Sequence, residues 1–301
     1  MAPDLKRYGT TFFVILFSIL YFFLFLASCR TAPPHNRSGS RPERIVSLAP
    51  NITEIVFALG AGDRIVGVTQ YCTYPAEAIL KTKVGGFSDP NPELIIFLKP
   101  DLIIATPNVG NRDAVLWLKK HSAIPVPVVK TESLPDLYDA IRIIGNAINE
   151  EEQASLLAEN IRSRIELTRT KTLALGRKRV LLALSIDPVI AASPDSYPGA
   201  LATLASADLV PPGVEHGRKT SPYTILSIEE IIQFNPDVII QTTMDSADQA
   251  HSSLLLDSWK KWKTISAVKN GKVLVVPGDL ILRPSPRAPD GLNLLVKLIH
   301  E

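Results

Sequence analysis

NPELIIFLKPDLIIATP (residues 91–107) and SIEEIIQFNPDVIIQTT (residues 227–243) share one plan at a separation of 136 positions. Each opens on a helix start. Asn91 can cap, Pro92 suits the first helical position, and Glu93 follows in the first turn; Ser227 and Glu230 make a Ser-x-x-Glu capping box, with Glu229 one place earlier. Each helix must end before Lys99-Pro100 or Asn235-Pro236, and a β-rich run follows. A second pair of strand starts, Arg44-Ile45-Val46 and Arg179-Val180-Leu181, repeats at 135 positions. Two matches at nearly one offset predict two equivalent α/β halves.

Outward from these stretches, short apolar runs alternate with helical ones from Arg44 to Lys130, the rhythm of a parallel sheet covered on both faces. The rhythm stops at Leu134. From there to Leu175 the pattern is helical, with one break near Gly145–Asn149, acids Glu150, Glu151 and Glu152 at a new helix start, and Arg162, Arg164 and Arg169 toward its end. The βα rhythm resumes at KRVLLALSI (178–186). The expected fold is α/β: two Rossmann-like lobes with parallel-sheet cores, joined by a long rigid helix, with a ligand cleft between them. The divisions are 44–132 for the first lobe, 133–175 for the connecting helices and 176–301 for the second lobe.

The first 43 residues follow other rules. Lys6 and Arg7 precede an uncharged apolar run over 11–28, the form of a signal peptide spanning 1–28. Leu26-Ala27-Ser28-Cys29 resembles the bacterial lipoprotein box, which makes Cys29 the lipidated residue; an uncleaved membrane anchor is the alternative. Residues 29–43, rich in Pro, Ser and charge, read as a flexible tether. With Cys29 lipidated, Cys72 stands alone and reads as a small buried side chain. The chain is thus expected to be exported and lipid-anchored to the cell envelope.

A formal net charge of +2 with no basic block argues against nucleic acid as a partner. The five histidines fall in unrelated contexts, so no metal site and no resident cofactor are expected. No nucleophile elbow, P-loop or dinucleotide fingerprint is found, so the protein is not expected to be an enzyme.

RIVSLAPNITEIVFALGAGDRIVGVTQYCTYPAEA (44–78), KVGGFSDPNPELIIFLKPDLIIA (83–105), LSIEEIIQFNPDVII (226–240) and RPSPRAPDGL (283–292) resemble the iron/cobalamin-type substrate-binding proteins of ABC importers. The resemblance runs from about Arg44 to Leu292. It implies a monomer that captures a corrinoid or iron chelate between its lobes and delivers it to a permease dimer with its ATPase. It also implies that Glu93 and Glu229, one per lobe, pair with permease arginines, and that Tyr71, Phe87, Tyr223 and Asp279 contact ligand. Arg283 and Arg287 either hold a ligand anion or serve in structural salt bridges. A ferric siderophore or haem is the alternative ligand, and a sensory or adhesive lipoprotein the alternative role. Tyr197 is a weaker ligand contact, and Trp117, Trp259 and Trp262 read as packing residues. Comparing the two copies, Leu94 and Phe97 stand opposite Glu230 and Gln233. A neighbouring loop is expected to cover them; the other reading leaves an apolar docking patch beside Glu93.

Overall fold

The computed structural model describes residues 41–107, 110–211, 214–215, 218–219, 221–243 and 249–301. The signal segment and Cys29 lie outside the described residues. Residues 41–43, expected to end the tether, are held to the body: the Arg41 guanidinium meets Glu150 at 2.7 Å and the Glu43 amide donates to Asp101 at 2.8 Å.

The first lobe contains β1 (Ile45–Ser47), α1 (Pro50–Ala58), β2 (Ile65–Val68), α2 (Ala76–Ile79), β3 (Thr82–Lys83), α3 (Pro92–Phe97), β4 (Leu102–Ile104) and α4 (Arg112–His121). Its sheet has the order β3-β2-β1-β4 with every pair parallel. Beyond β4 the segment around Val128 adds a parallel bridge to Ala105, and Pro125 and Pro127 accept from Ile103 and Ala105. Proline has no amide to donate, so the bonding along this outer edge is sparse.

The bridge between lobes is α5 (Leu134–Ala147) and α6 (Glu151–Thr172). Ser133 and Asp136 form a reciprocal capping box on α5. The two helices separate at Asn149, whose backbone is left-handed at φ 58°. At 1.5 Å per residue the 22-residue α6 is about 33 Å long.

The second lobe holds β5 (Lys178–Ile186), β6 (Val189–Ala192), α7 (Tyr197–Leu204), β7 (Ala207–Leu209), the small pair β8 (Val214–Glu215) and β9 (Arg218–Lys219), and β10 (Tyr223–Leu226). It continues through α8 (Ile228–Phe234), β11 (Val238–Thr243), α9 (Gln249–Lys260), α10 (Ser266–Lys269), β12 (Val273–Pro277), α11 (Asp279–Leu282) and α12 (Ala288–His300). The main sheet runs β10-β6-β5-β11-β12, with β7 also on β5. Here the structure departs from an all-parallel expectation. A tight turn at Asp187-Pro188 folds β6 back antiparallel on β5, and β10 pairs antiparallel with β6. Two reversals restore direction, so β10 runs parallel to β11 and β10–α8–β11 is a βαβ unit like β3–α3–β4.

Period-two alternation explains the unbroken apolar runs. Ile45, Leu102, Ile104, Val180, Leu182, Val238 and Ile240 enter one core that continues across both lobes. Their neighbours Val46, Ile103 and Ala105 enter a second core under α3 and α4, while Leu181, Ala183 and Ile239 enter a third with Trp259.

The duplicated stretches form one structural unit twice. Ile45 pairs with Leu102, and Val180 with Val238. The Arg44 amide donates to Asp101 at 2.9 Å, and the Asp101 amide donates back to the Arg44 carbonyl. The Arg179 amide donates to Asp237 at 3.0 Å, with the same reciprocal bond. The Arg44 guanidinium caps the end of α3 at the Leu98 carbonyl (2.6 Å), and Arg179 caps α8 at the Phe234 carbonyl (3.0 Å). Lys99 and Asn235 then turn the chain through left-handed φ values of 49° and 47°.

Candidate functional site

Both sheets present strand ends to a cavity of about 670 Å³ lined from both lobes, within the ~300–1,000 Å³ range of small-molecule sites. In the first lobe β1 sits between β2 and β4, so the chain leaves the sheet in opposite directions after β1 and β4. That is the topological switch point, where doubly wound sheets bind ligands at their carboxyl ends. Pro50 and Asn51, opening α1, and Thr106, just past β4, line the cavity there. The Asn51 side chain donates to the Thr131 hydroxyl at 2.7 Å.

Tyr71, Phe87, Ser88 and Asp89 line the same wall. The Phe87 loop is tight: Gly85 has φ 109°, and a Cβ there would stand 2.7 Å from the Asp89 carbonyl. Cys72 is fully buried, its sulfur 3.2 Å from the hydroxyls of Thr53 and Thr69, and so fixes the turn that presents Tyr71.

The second lobe contributes Thr243 at the end of β11 and Gly278, Asp279, Leu282, Arg283 and Pro284 around α11. The Gly278 amide donates to the Thr243 carbonyl at 2.9 Å, tying these two strand ends together. Asp279 and Arg283 pair at 2.9 Å, one helical turn apart. Arg283 Nη1 is buried without a partner, as is the Thr106 hydroxyl across the cavity.

A scan against protein-family models matches residues 45–280 to the periplasmic binding protein model. The chain belongs to the periplasmic binding protein family. An uncharacterised ABC transporter substrate-binding lipoprotein, YvrC, of Bacillus subtilis (strain 168) is 31% identical over 268 residues, 86% of this chain and 80% of that protein. A vitamin B12-binding protein of Vibrio cholerae is 30% identical over 272 residues, 90% of this chain and 92% of its own. Among solved structures, a possible iron-binding periplasmic solute-binding protein of Staphylococcus epidermidis superposes with a TM-score of 0.74 at 29% identity, covering 87% of this chain and all of that one. The periplasmic binding protein described here is therefore a substrate-binding component of the ABC importer type, and the members of its family are binding proteins.

Of the residues singled out in the sequence, Tyr71, Phe87, Asp279 and Arg283 lie around one cavity, whereas Tyr223 is not among its lining residues. Tyr223 is half exposed on β10, where burial and then the Glu132 charge raise its phenol above the ordinary range. Tyr197 is a correction to the ligand-contact reading. It is sealed in the core at the start of α7, where burial and the Glu54 carboxylate push its phenol well up. Arg287 makes a salt bridge: its guanidinium grips Glu54 of α1 through bonds of 2.6 and 2.8 Å and stacks on Tyr74 at 4.1 Å. Trp259 is buried as expected, but Trp117 is 41% exposed and stacks on His121.

Glu93 and Glu229 are both exposed. Because α3 and α8 each run back against a parallel strand pair, their first turns sit at the carboxyl ends of the sheets, the side that carries the cavity. Asn91 caps α3 through the Leu94 amide at 3.0 Å, and the Ser227–Glu230 capping box closes on α8. The expectation that a loop covers Phe97 is overturned. Its ring is 78% exposed, one turn from Glu93, while Leu94 is half-buried against the outer core. Among the described residues the helix packed against α3 is α4. Asn51, Ser88 and Thr106 lie in the loops APNIT, GGFSDPN and TPNVGN, which the carboxyl-end rule places at the cleft from sequence, although nothing in the sequence singles out the individual residues. Thr131 lies outside those loops and was missed, because a lone polar residue after a strand-like run carries no pattern.

Proposed function

We propose that this protein is the exported, lipid-anchored receptor of an ABC importer for a corrinoid, with a ferric siderophore or haem as the alternative ligand. The observation that carries the reading is the interlobe cavity with Tyr71 and Phe87 on one wall and the Asp279–Arg283 pair on the other. Aromatic faces supply contact area for a large flat ligand while a few polar groups fix its orientation. A relative named as a vitamin B12-binding protein supports the corrinoid, and a neighbour titled as possibly iron-binding supports the chelate. Tyr223 stands close enough to the first lobe to feel Glu132, and in this reading it closes over the ligand's outer edge.

In the same reading the protein acts as a monomer without resident cofactor or catalytic activity, and Cys29 carries the lipid. Glu93 and Glu229 register the two lobes on a permease dimer through its arginines, because charge complementarity sets orientation and encounter. The test is titration of the full-length chain with cyanocobalamin, a ferric hydroxamate and haem, followed by intrinsic fluorescence. Saturable binding of one of them is expected, and silence with all three removes the ligand class. Glu93→Ala with Glu229→Ala should abolish stimulation of the reconstituted importer's ATPase while ligand binding persists.

A further inference from the structure

We infer that the outer face of α6 is a membrane-contact surface, on which the anchored protein rests against an anionic bilayer with its cavity turned away. This rests on the lipid-anchored reading above and adds an orientation to it. α6 packs on α5 and α12 and buries Ala154, Ile161, Ile165 and Thr172. Roughly opposite these run Leu156, Asn160, Ser163, Leu167 and Thr170, all exposed and none charged, on a helix whose other exposed positions are mostly Glu, Arg and Lys. Leu156 is 60% exposed and Leu167 58%, and three helical turns place them on one line. The outward row of a surface helix is ordinarily its most polar part, so this one is inverted. Its hydroxyls turn back on the helix, Ser163 to the Glu159 carboxylate at 3.3 Å and Thr170 to the Glu166 carbonyl at 2.9 Å.

Two further observations point to the bilayer as what covers this row. The first is where the anchored chain joins the body. Arg41 binds Glu150 at 2.7 Å, one residue before α6, and Cys29 stands 12 positions ahead of Arg41. At about 3.5 Å per residue that stretch reaches at most about 40 Å, so a lipid on Cys29 keeps the start of α6 close to the membrane. The second is charge. Arg162 and Arg169 pair with Glu159 and Glu166 at 3.2 and 2.7 Å, and Glu151 and Glu152 lie in the first turn, where the helix's positive end offsets them. Past the last turn, Leu173 (68% exposed) and Leu175 are followed by Arg177 and Lys178, with Lys171 just before. These three cations form no ion pair among the described residues; Arg179 is engaged by Asp237 at 3.1 Å, which leaves the exposed Asp208 as the neighbouring carboxylate. Exposed leucines beside lysine and arginine suit a headgroup layer: the apolar chains enter it and the cations stay at the phosphates. Both ends of α6 stand at the amino ends of the sheets, held to Arg64 before β2 and Ser206 before β7. The cavity lies at the carboxyl ends, so a bilayer along α6 leaves its mouth open.

The experiment places the full-length lipidated chain on vesicles of phosphatidylglycerol and phosphatidylethanolamine that contain a nitroxide lipid. A fluorophore is attached at one introduced cysteine, by Leu167→Cys, Leu173→Cys or, as the control before α5, Glu132→Cys; Cys72 is fully buried and does not compete for the label. Quenching at 167 and 173 should exceed that at 132 by about twofold or more, and the excess should fall by about half or more on phosphatidylcholine vesicles, which lack the anionic surface. Arg177→Glu with Lys178→Glu should lower quenching at 173 about twofold while Tm and ligand affinity hold. Equal quenching at the three sites, on vesicles that retain the protein, overturns the surface and leaves a lipid-anchored receptor intact. A probe at 167 shielded equally with and without vesicles, in protein that sediments as a dimer, gives the row to a second copy and also overturns it. Protein that stays in solution when the vesicles are pelleted removes the lipid-anchored reading itself, and this inference with it.

Discussion

Replacing Arg287 by alanine should destabilise the protein far more than a surface arginine would. Glu54 is 3% exposed in the first turns of α1, and the Arg287 guanidinium holds both its oxygens, at 2.6 and 2.8 Å, from the loop before α12. Burial alone would lower the Arg287 pKa, but the hydrogen bond and charge of Glu54 outweigh it and hold the guanidinium firmly protonated. The pair also joins the lobes, since its partners are 233 residues apart. Truncating one side leaves a buried carboxylate uncompensated, which costs about 3–5 kcal/mol. At about 2–4 °C per kcal/mol for a chain of this size, Tm should fall by roughly 10 °C. The assay is thermal unfolding of wild type, Arg287→Ala, Glu54→Ala and the double variant. Because removing both partners removes the stranded charge, the double variant should lie well above the sum of the singles, with a coupling of at least about 1 kcal/mol. Additive losses, or a Tm change in Arg287→Ala of only about 2 °C or less, would refute the reasoning.

Asp101→Ala and Asp237→Ala should each cost about 1–2 kcal/mol in urea unfolding and by similar amounts, since each carboxylate accepts the same strand amide; a tenfold disparity in folding equilibrium would argue against equivalent halves. Hydrogen bonds from the Ser227 amide and hydroxyl hold the Glu230 carboxyl below its ordinary value, so its contribution is present above the unfolded pKa of about 4.3 and is lost as pH falls through the lower folded one. Glu230→Gln should therefore be less stable than wild type at pH 7 but converge with it near pH 3, and a constant offset would contradict this. Phe97→Ala should leave ligand affinity and Tm unchanged, because the ring is 78% exposed, yet weaken stimulation of the importer's ATPase if that face docks. Finally, with α6 and the shared core bridging the lobes, ligand should produce no measurable compaction in solution scattering; a large change in radius of gyration would show that the bridge bends.

How far the sequence foretold this structure depended on the range of the interaction. The helix starts, the stops at Pro100 and Pro236 and the alternating strand faces are set within a few residues, and each was legible. The Asp187-Pro188 turn that reverses β6 was legible in principle as a break between two apolar runs, but the βα rhythm around it favoured a parallel reading. Phe97 was misjudged because an exposed phenylalanine has the same pattern as a core one until its neighbours are placed. Glu54 and Arg287 each look like an ordinary surface charge in sequence, and only the closure of the two lobes brings them together. Thr106 is one threonine among many; it becomes distinctive when its residue is found beside the cavity with its hydroxyl buried and without a partner.

The duplicated unit assigns different tasks to the two ends of each sheet. At the amino ends, Arg44–Asp101 and Arg179–Asp237 tie the strand starts to the helices that precede β4 and β11. These contacts satisfy helix-terminal carbonyls and strand amides at once, and they stand a full strand length from the cavity. At the carboxyl ends the pairing is left open: Thr106 and Arg283 Nη1 carry unmatched polar atoms, and the loops bear Tyr71 and Phe87. Leaving a buried polar atom unmatched costs stability of order 1–3 kcal/mol, so it is sustained only where the rest of the lobe is secured elsewhere. The amino-end ties and the core that crosses both lobes provide that security. It follows that substitutions at the two ends should separate cleanly: changes at Asp101 or Asp237 should lower stability with ligand affinity intact, whereas Thr106→Val, which removes a buried hydroxyl without a partner, should raise stability.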